Sequence, residues 1–198
     1  MIRNKRCKHI EWNLELPYCP ICKRDQNGEL DPNLYTNSEL KSREKSAAFI
    51  RRSFETVRLG GGMTIHEADL EGWDEDGEGE LARSKDPEVY WWEIPDWKLE
   101  KIHVLSYAFD VDGWRFHLPA YLTWTLMNWR ITDSVTADNV VWALELKNKS
   151  RYQLERFETL DSLQSKSVFT FLQHFQRFST EYDADKIISS YWGKFGSI

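Results

Sequence analysis

The stretch HVLSYAFDVDGWRFHLPAYLTWTLMNW, residues 103–129, decides the fold class of this chain. At its centre lies Asp110-Val111-Asp112-Gly113, and Asp-Gly is a strong signal for a tight turn between two strands. The apolar segments on either side, His103–Phe109 and Trp114–His117, are therefore predicted to be two antiparallel strands. Residues 63–66 are predicted to add a further short strand.

Helical patterns cover much of the remaining chain. The clearest is Asp161–Phe178, which places one apolar face at helical spacing. Thr36 and Glu39 form a capping-box pattern, which predicts a helix from that point to Gly60. Shorter helices are predicted over Asp96–Lys101, from Pro119 onward, over Ala137–Leu146 and over Asp183–Trp192. The sequence thus predicts an α+β fold: a mostly helical single domain with a small antiparallel sheet.

All three cysteines lie within the first 22 residues. Cys19-Pro20-Ile21-Cys22 places two thiolates at a spacing that holds one tetrahedral ion. Cys7 and His9 supply a second half-site, so the four residues make a three-thiolate, one-imidazole set that is common for structural zinc. We therefore expect one structural Zn²⁺ ion. A closed site of this kind leaves no open position for catalysis.

Two other interpretations fit the same cysteines. A Cys-x-x-Cys can be a redox pair, although that motif favours the start of a helix in a thioredoxin-like unit. The residues can also be unrelated thiols beside a surface histidine. Within the zinc interpretation His9 is the least secure ligand, because Cys-x-His is the less usual half-site.

The domain organisation follows from composition. Residues 1–30 are interpreted as a zinc-knuckle-like segment, 31–37 as a turn-rich linker, and 38–198 as the main domain. Residues 1–58 hold twelve Lys and Arg against eight Asp and Glu, whereas the whole chain has a net charge of −6. The basic part is compatible with nucleic acid, but the larger acidic body would repel it.

The expected compartment is the cytoplasm. The basic N-terminus has no apolar run behind it, so a signal peptide is not predicted. The apolar stretches are all shorter than the roughly twenty residues that a membrane span needs. We therefore expect no membrane association.

His66, Glu67 and Asp69 are the weak candidates for metal binding or acid–base chemistry. The alternative is a strand end that runs into a solvated acidic loop, predicted over residues 67–88. Part of that loop is similar to the opening of a calcium-binding loop. Lys85 stands where a bidentate glutamate is required, which excludes an EF-hand.

The ten tryptophans can serve the core or an interface. Tyr90–Trp92 and Trp97, together with the tryptophans of the helix after Pro119, are most simply explained as core. Trp and Tyr are also common at binding hot spots. The sequence alone leaves both interpretations open.

Two motifs carry a family resemblance. LGGGM at residues 59–63 is followed by HEA at 66–68, and WRFHLPAYL at 114–122 follows an acidic, Trp-bearing segment. Together with RFETL at 156–160, they resemble a bacterial family of unknown function over about residues 38–180. The resemblance implies a single compact domain and carries no established activity. The cysteine segment lies outside it.

Three functions are compatible with these features. The first is a protein-binding module of bacterial origin, of the kind found among immunity proteins, antitoxins and defence accessories, and on this interpretation an enzyme is not favoured. The second is a metal-dependent hydrolase that uses His66, Glu67 and Asp69. The third is nucleic-acid binding through the basic N-terminal residues Arg3, Lys5, Arg6, Lys8, Lys23 and Arg24.

Overall fold

The computed structural model describes residues 19, 22–25, 29–70 and 78–197. Within these ranges the chain forms α-helices and two 3-10 turns, Trp91–Glu93 and Trp192–Phe195, and no β-strand. The extended pairing there is a single antiparallel bridge between Arg24 and Leu30. The helices are α1 Asn37–Ser53, α2 Ile65–Leu70, α3 Glu78–Ser84, α4 Asp96–Lys101, α5 Val111–Asn128, α6 Thr136–Ala143, α7 Arg151–Glu158, α8 Ser162–Phe178 and α9 Ala184–Ser190.

The predicted antiparallel sheet is wrong, and with it the α+β class. Asp110 does not open a hairpin turn: it caps α5, because its Oδ1 accepts a hydrogen bond from the backbone N–H of Gly113 at 2.7 Å. The expected strand Trp114–His117 is the first part of α5, and residues 105–108 form turns. A short apolar run cannot be distinguished from a buried helix by its periodicity. Twelve of the eighteen α5 residues are buried, so no polar face marks the helix.

The third expected strand, residues 63–66, is also wrong. Ile65 begins α2, and Thr64 stands directly before that helix with its backbone N–H bonded to Glu67 Oε2 at 2.7 Å. The long loop expected over residues 67–88 contains the end of α2 and the whole of α3. Residues 71–77, which carry much of the acidic run, lie outside the described residues.

The N-cap predicted at Thr36 is confirmed, and so is the helix predicted over Asp161–Phe178, in which Asp161 is the cap. The side chain of Thr36 accepts from the N–H of Glu39 at 3.1 Å, and α1 then ends at Ser53 rather than at Gly60. Asp161 caps α8 through the N–H of Gln164 at 2.8 Å. A side-chain oxygen at this position satisfies a backbone N–H that the helix itself leaves unbonded.

The core surrounds α5, which contacts α1, α4, α6, α7 and α8. One polar contact joins the ends of three helices at its border. Glu39 of α1 is almost fully buried and accepts from Arg130 Nε at 2.8 Å. The same guanidinium donates from Nη2 to the carbonyl of Phe178, the last residue of α8, at 2.7 Å. Arg130 therefore holds α1 and α8 together just beyond the end of α5.

Replacement of Gly113 by alanine tests the start of α5. A Cβ at residue 113 would stand 2.6 Å from the carbonyl oxygen of Met63, a contact that real Cβ atoms do not show. We expect Gly113→Ala to lower the free energy of unfolding by about 1–3 kcal/mol in urea denaturation. The matched control is Gly61→Ala, where a Cβ would meet nothing within 4 Å. Equal losses in the two variants would contradict this account.

Candidate functional site

A groove of about 380 Å³ opens between α1, α4, α5 and the bridged residues Arg24 and Leu30. We call it the tryptophan groove, because three tryptophans line it. Most of its other lining residues are apolar, and its charged ones come from three different elements. The lining residues are Arg24, Leu30, Arg43, Trp91, Trp92, Ile94, Asp96, Leu99, Ala120, Thr123, Trp124, Met127, Asn128 and Ile131.

The tryptophans are held in place by hydrogen bonds and stacking. Trp91 is buried, and its indole N–H donates to the carbonyl of Phe54 at 2.9 Å. Trp92 meets it edge-on with ring centroids 5.5 Å apart, and stacks on Tyr90 at 4.5 Å. The guanidinium of Arg51 lies 3.2 Å from the centroid of the Trp92 ring. Since a cation over an aromatic face is attracted to it, this wall is fixed before any ligand binds.

Two unpaired polar atoms border the groove. Arg43 stacks over the Tyr35 ring at 4.6 Å, yet its buried Nε has no hydrogen-bond partner among the described residues. Thr123 Oγ1 is buried and, over the same part of the chain, likewise without a partner. A buried polar group without a partner costs about 1–3 kcal/mol. A ligand that offers hydrogen-bonding atoms at these positions therefore gains more than apolar contact.

Arg24 and Leu30 form one wall of the groove, next to the turn that holds Cys19 and Cys22. The N–H of Cys19 donates to the carbonyl of Arg24 at 2.8 Å, and the N–H of Lys23 donates back to the carbonyl of Cys19 at 2.9 Å. Lys23 has φ 54, a left-handed conformation that closes the turn. Arg24 then pairs with Leu30, and both side chains line the groove. The cysteine turn therefore positions one wall of the tryptophan groove.

The predicted zinc ligands are only partly described. Cys19 is fully buried and Cys22 half-buried, whereas Cys7 and His9 lie outside the described residues. Within the described ranges no group of three or more His, Cys, Asp or Glu side chains could hold a metal. The four-ligand zinc site therefore stays a prediction. Nucleic-acid binding likewise stays a prediction, because most of the basic residues named for it precede residue 19 and lie outside the described residues.

His66, Glu67 and Asp69 share α2 but their side chains have separate environments. His66 Nδ1 lies 2.7 Å from Asp86 Oδ1, and its backbone N–H donates to Asp86 Oδ2 at 2.9 Å. Glu67 accepts from Arg83 Nε at 2.8 Å, while Asp69 is exposed. Because the histidine and the two acids do not converge on a common point, this geometry does not favour the hydrolase hypothesis.

An ionic cluster of the described region centres on Lys98, which no pattern in the sequence singles out. Its ammonium group is buried and lies 2.7 Å from both Asp86 and Glu88, and it also donates to the carbonyl of Lys85 at 2.9 Å. Burial alone would raise the pKa of Asp86, but hydrogen bonds from Lys98 and His66 outweigh it and lower that pKa. All three donors of the ammonium are satisfied, so this cluster ties α4 to the segment after α3.

Two histidines, His117 and His174, are buried in the core. Burial lowers the pKa of His117 to about 4. The contact between its Nδ1 and the carbonyl of Gly113, at 2.7 Å, raises that pKa but is the smaller effect. Burial, with the charges of Arg43 and Arg130, lowers the pKa of His174 to about 4 as well. Both imidazoles are therefore neutral at pH 7.

The aromatic residues divide between core and surface. Trp91, Tyr121, Trp124 and Trp129 are buried, which confirms the core interpretation for them. Trp97 and Trp142 are about half-exposed, at 48% and 54%. No pattern in the sequence distinguished these two from the others.

The structure defines a helical protein with an aromatic groove next to the turn that holds Cys19 and Cys22. The chain belongs to DUF6714, a family of unknown function, whose profile matches residues 42–195. The resemblance to an uncharacterised family is thereby confirmed, and the cysteine turn lies outside the matched range. No curated protein and no solved structure matches the chain. Among the described helices, none has both the length and the apolar character needed to cross a bilayer.

Replacement of Lys98 by methionine tests the ionic cluster. The change leaves the carboxylates of Asp86 and Glu88 without their shared cation, so we expect a loss of about 3–5 kcal/mol in the free energy of unfolding. The matched control is Lys101→Met, an exposed lysine of the same helix. Urea denaturation at pH 7 measures both variants. A Lys98→Met protein as stable as its control would show that the cluster does not stabilise the fold.

Proposed function

We propose that this chain is a protein-binding module, and that the tryptophan groove takes a short peptide segment of another protein. The segment would present an apolar side chain to the tryptophans and a carboxylate to the arginine side of the groove. The observation that carries the proposal is an apolar groove with a cation, Arg43, whose buried Nε is unpaired within the described residues.

The size of the groove limits what binds. At about 380 Å³ it is at the lower end of the roughly 300–1,000 Å³ typical of ligand pockets. That volume admits one or two side chains rather than a folded surface. Hot spots of protein interfaces are enriched in Trp and Arg and lie in pockets of this kind. A short anchor within a longer contact is therefore the form of binding that we propose.

The charges that line the groove determine which charge the bound segment should carry. Arg24 and Arg43 line the groove against one acid, Asp96. A guanidinium pairs well with a carboxylate, because its planar fork of N–H donors matches the two carboxylate oxygens. An aspartate or glutamate next to the apolar anchor thus fits the groove better than a lysine or arginine.

We further propose that Cys7, His9, Cys19 and Cys22 hold one structural Zn²⁺ ion. Support comes from the turn to which Cys19, Cys22, Lys23 and Arg24 belong, where Cys19 exchanges backbone hydrogen bonds with Lys23 and Arg24 and Lys23 is left-handed. Such a turn brings two thiolates to the same ion. Since Arg24 and Leu30 continue from this turn into the groove wall, the ion would stabilise the peptide site indirectly.

The groove proposal is tested with peptides selected from a random display library on the intact chain. We expect enriched peptides to pair an aromatic or large aliphatic residue with an acid. Met127→Lys, which places a charge in the groove, should weaken their affinity about tenfold or more in fluorescence anisotropy. The matched control is Leu163→Lys, at a residue of α8 that is 60% exposed and lies outside the groove.

A charge reversal makes the test specific. Peptides selected on Arg43→Glu should carry a lysine or arginine in place of the acid, provided that circular dichroism shows an unchanged helical content. Selected peptides without an acid, or equal binding by native protein and Met127→Lys, would overturn the groove proposal.

Elemental analysis tests the zinc proposal. We expect about one zinc per chain in protein purified without chelator, and its loss in Cys22→Ser, because a tetrahedral site does not retain the ion with one thiolate removed. Asn33→Ser, an exposed position beyond the cysteine turn, should keep the metal. Removal of the zinc with a chelator should also weaken the binding of the selected peptides. A native protein without zinc would refute the metal site and leave the groove result standing.

A further inference from the structure

Helices α1 and α8 pack against each other in antiparallel order. Ser42 and His174 lie opposite each other, with Ser42 Oγ and His174 Nδ1 3.1 Å apart. Ser38 and Ser46 of α1 and Thr170 and Arg177 of α8 also line the space between the helices. The two helices therefore build a continuous groove, which the tryptophan groove does not include.

This second groove is polar and positively charged. It has a volume of about 490 Å³ and is lined by ten polar side chains, five from each helix. Three of the ten are the cations Lys41, Lys45 and Arg177, and no carboxylate lies among them. We call it the cationic groove.

The three cations lack counter-ions over the described ranges, where no ion pair joins any of them to a carboxylate. Lys41 and Lys45 are four residues apart on one helical face, a spacing at which like charges destabilise a helix. Arg177, from the last turn of α8, adds a third positive charge to the same groove. An anion between them would remove this repulsion.

His174 supplies a polar atom that the fold leaves unsatisfied. Only 1% of the residue is exposed, and its Nε2 is buried with no hydrogen-bond partner in the described part of the chain. When the Ser42 hydroxyl donates to Nδ1, Nε2 carries the ring proton and is a donor. The imidazole thus belongs to the lining of a groove that holds three cations, and it carries a buried donor that the described residues leave unsatisfied.

We propose that the cationic groove binds a small phosphorylated polyol of the sugar-phosphate class. The cations suit a phosphate group, since charge-assisted hydrogen bonds to phosphate are among the strong ones in proteins. The serine and threonine hydroxyls and the carboxamides of Gln173 and Gln176 suit the hydroxyl groups of a polyol. Apart from the imidazole of His174, the lining holds no aromatic ring on which a nucleobase could stack.

The volume agrees with this class. About 490 Å³ lies within the roughly 300–1,000 Å³ of small-molecule sites. The proposal is independent of the peptide-binding function, because none of the residues that line the cationic groove also lines the tryptophan groove.

Calorimetric titration of the full chain tests the proposal with glucose 6-phosphate, inorganic phosphate and glucose as probes. We expect saturable binding of glucose 6-phosphate, weaker binding of phosphate, and none of glucose. The double variant Lys41→Gln/Lys45→Gln should weaken glucose 6-phosphate binding about tenfold or more. The control Arg52→Gln/Lys101→Gln removes the same charge from exposed positions outside the groove and should bind like the native protein.

A structural readout keeps the test decisive if a variant loses stability. In the native protein, ring resonances of His174 should shift on addition of glucose 6-phosphate, whereas those of His103 should not. Equal weakening in both double variants would overturn the proposal, since it would show only general charge attraction. So would the absence of glucose 6-phosphate binding, or tighter binding of a phosphoserine peptide or an oligonucleotide that depends on Lys41 and Lys45.

Discussion

The carboxylate of Asp110 is the contact on which the central part of the fold depends. Its Oδ1 accepts from the N–H of Gly113 at 2.7 Å and from the N–H of Met63 at 3.1 Å, so it starts α5 and holds a segment 47 residues away. The approach is close because neither partner segment has side-chain bulk: a Cβ on Gly62 would stand 2.6 Å from the N atom of Gly113. The glycines at 62 and 113 are therefore a matched pair, through which LGGGM packs against the segment before WRFHLPAYL.

Much of the outer helical framework follows from the sequence, and the central helix does not. Thr36 and Asp161 stand before polar-and-apolar periodic segments, and each caps the helix that was expected. Around Asp110 the same residue type precedes a segment that is buried on nearly all sides. The segment Asp110-Val111-Asp112-Gly113 is then compatible with two structures, a hairpin turn at Asp112-Gly113 or an N-cap at Asp110 with glycine in the first turn of the helix. Only the distant backbone of Met63, which needs a glycine opposite it, decides between them.

The candidate site could likewise be predicted only as far as local sequence signals reach. Tryptophan content and the cysteine turn are local signals, and both concern the tryptophan groove. Which tryptophans line that groove depends on packing between segments far apart in the chain, as in the hydrogen bond from Trp91 to Phe54. Lys98 gave no signal at all, because a lysine in a short helix is ordinary until the fold brings Asp86 and Glu88 to it.

Helix α1 explains how a basic segment serves two different surfaces. Arg43 lines the tryptophan groove, whereas Lys41 and Lys45 line the cationic groove. Residues two apart on a helix are separated by about 200° around its axis, so these cations lie on opposite sides. The orientation of α1 about that axis then determines both surfaces together. Glu39 fixes it, since Arg130 binds this buried carboxylate and the carbonyl end of α8 at once. Because the positive charge of α1 is divided in this way, Arg43 and the pair Lys41 and Lys45 belong to two separate surfaces and not to one continuous basic face.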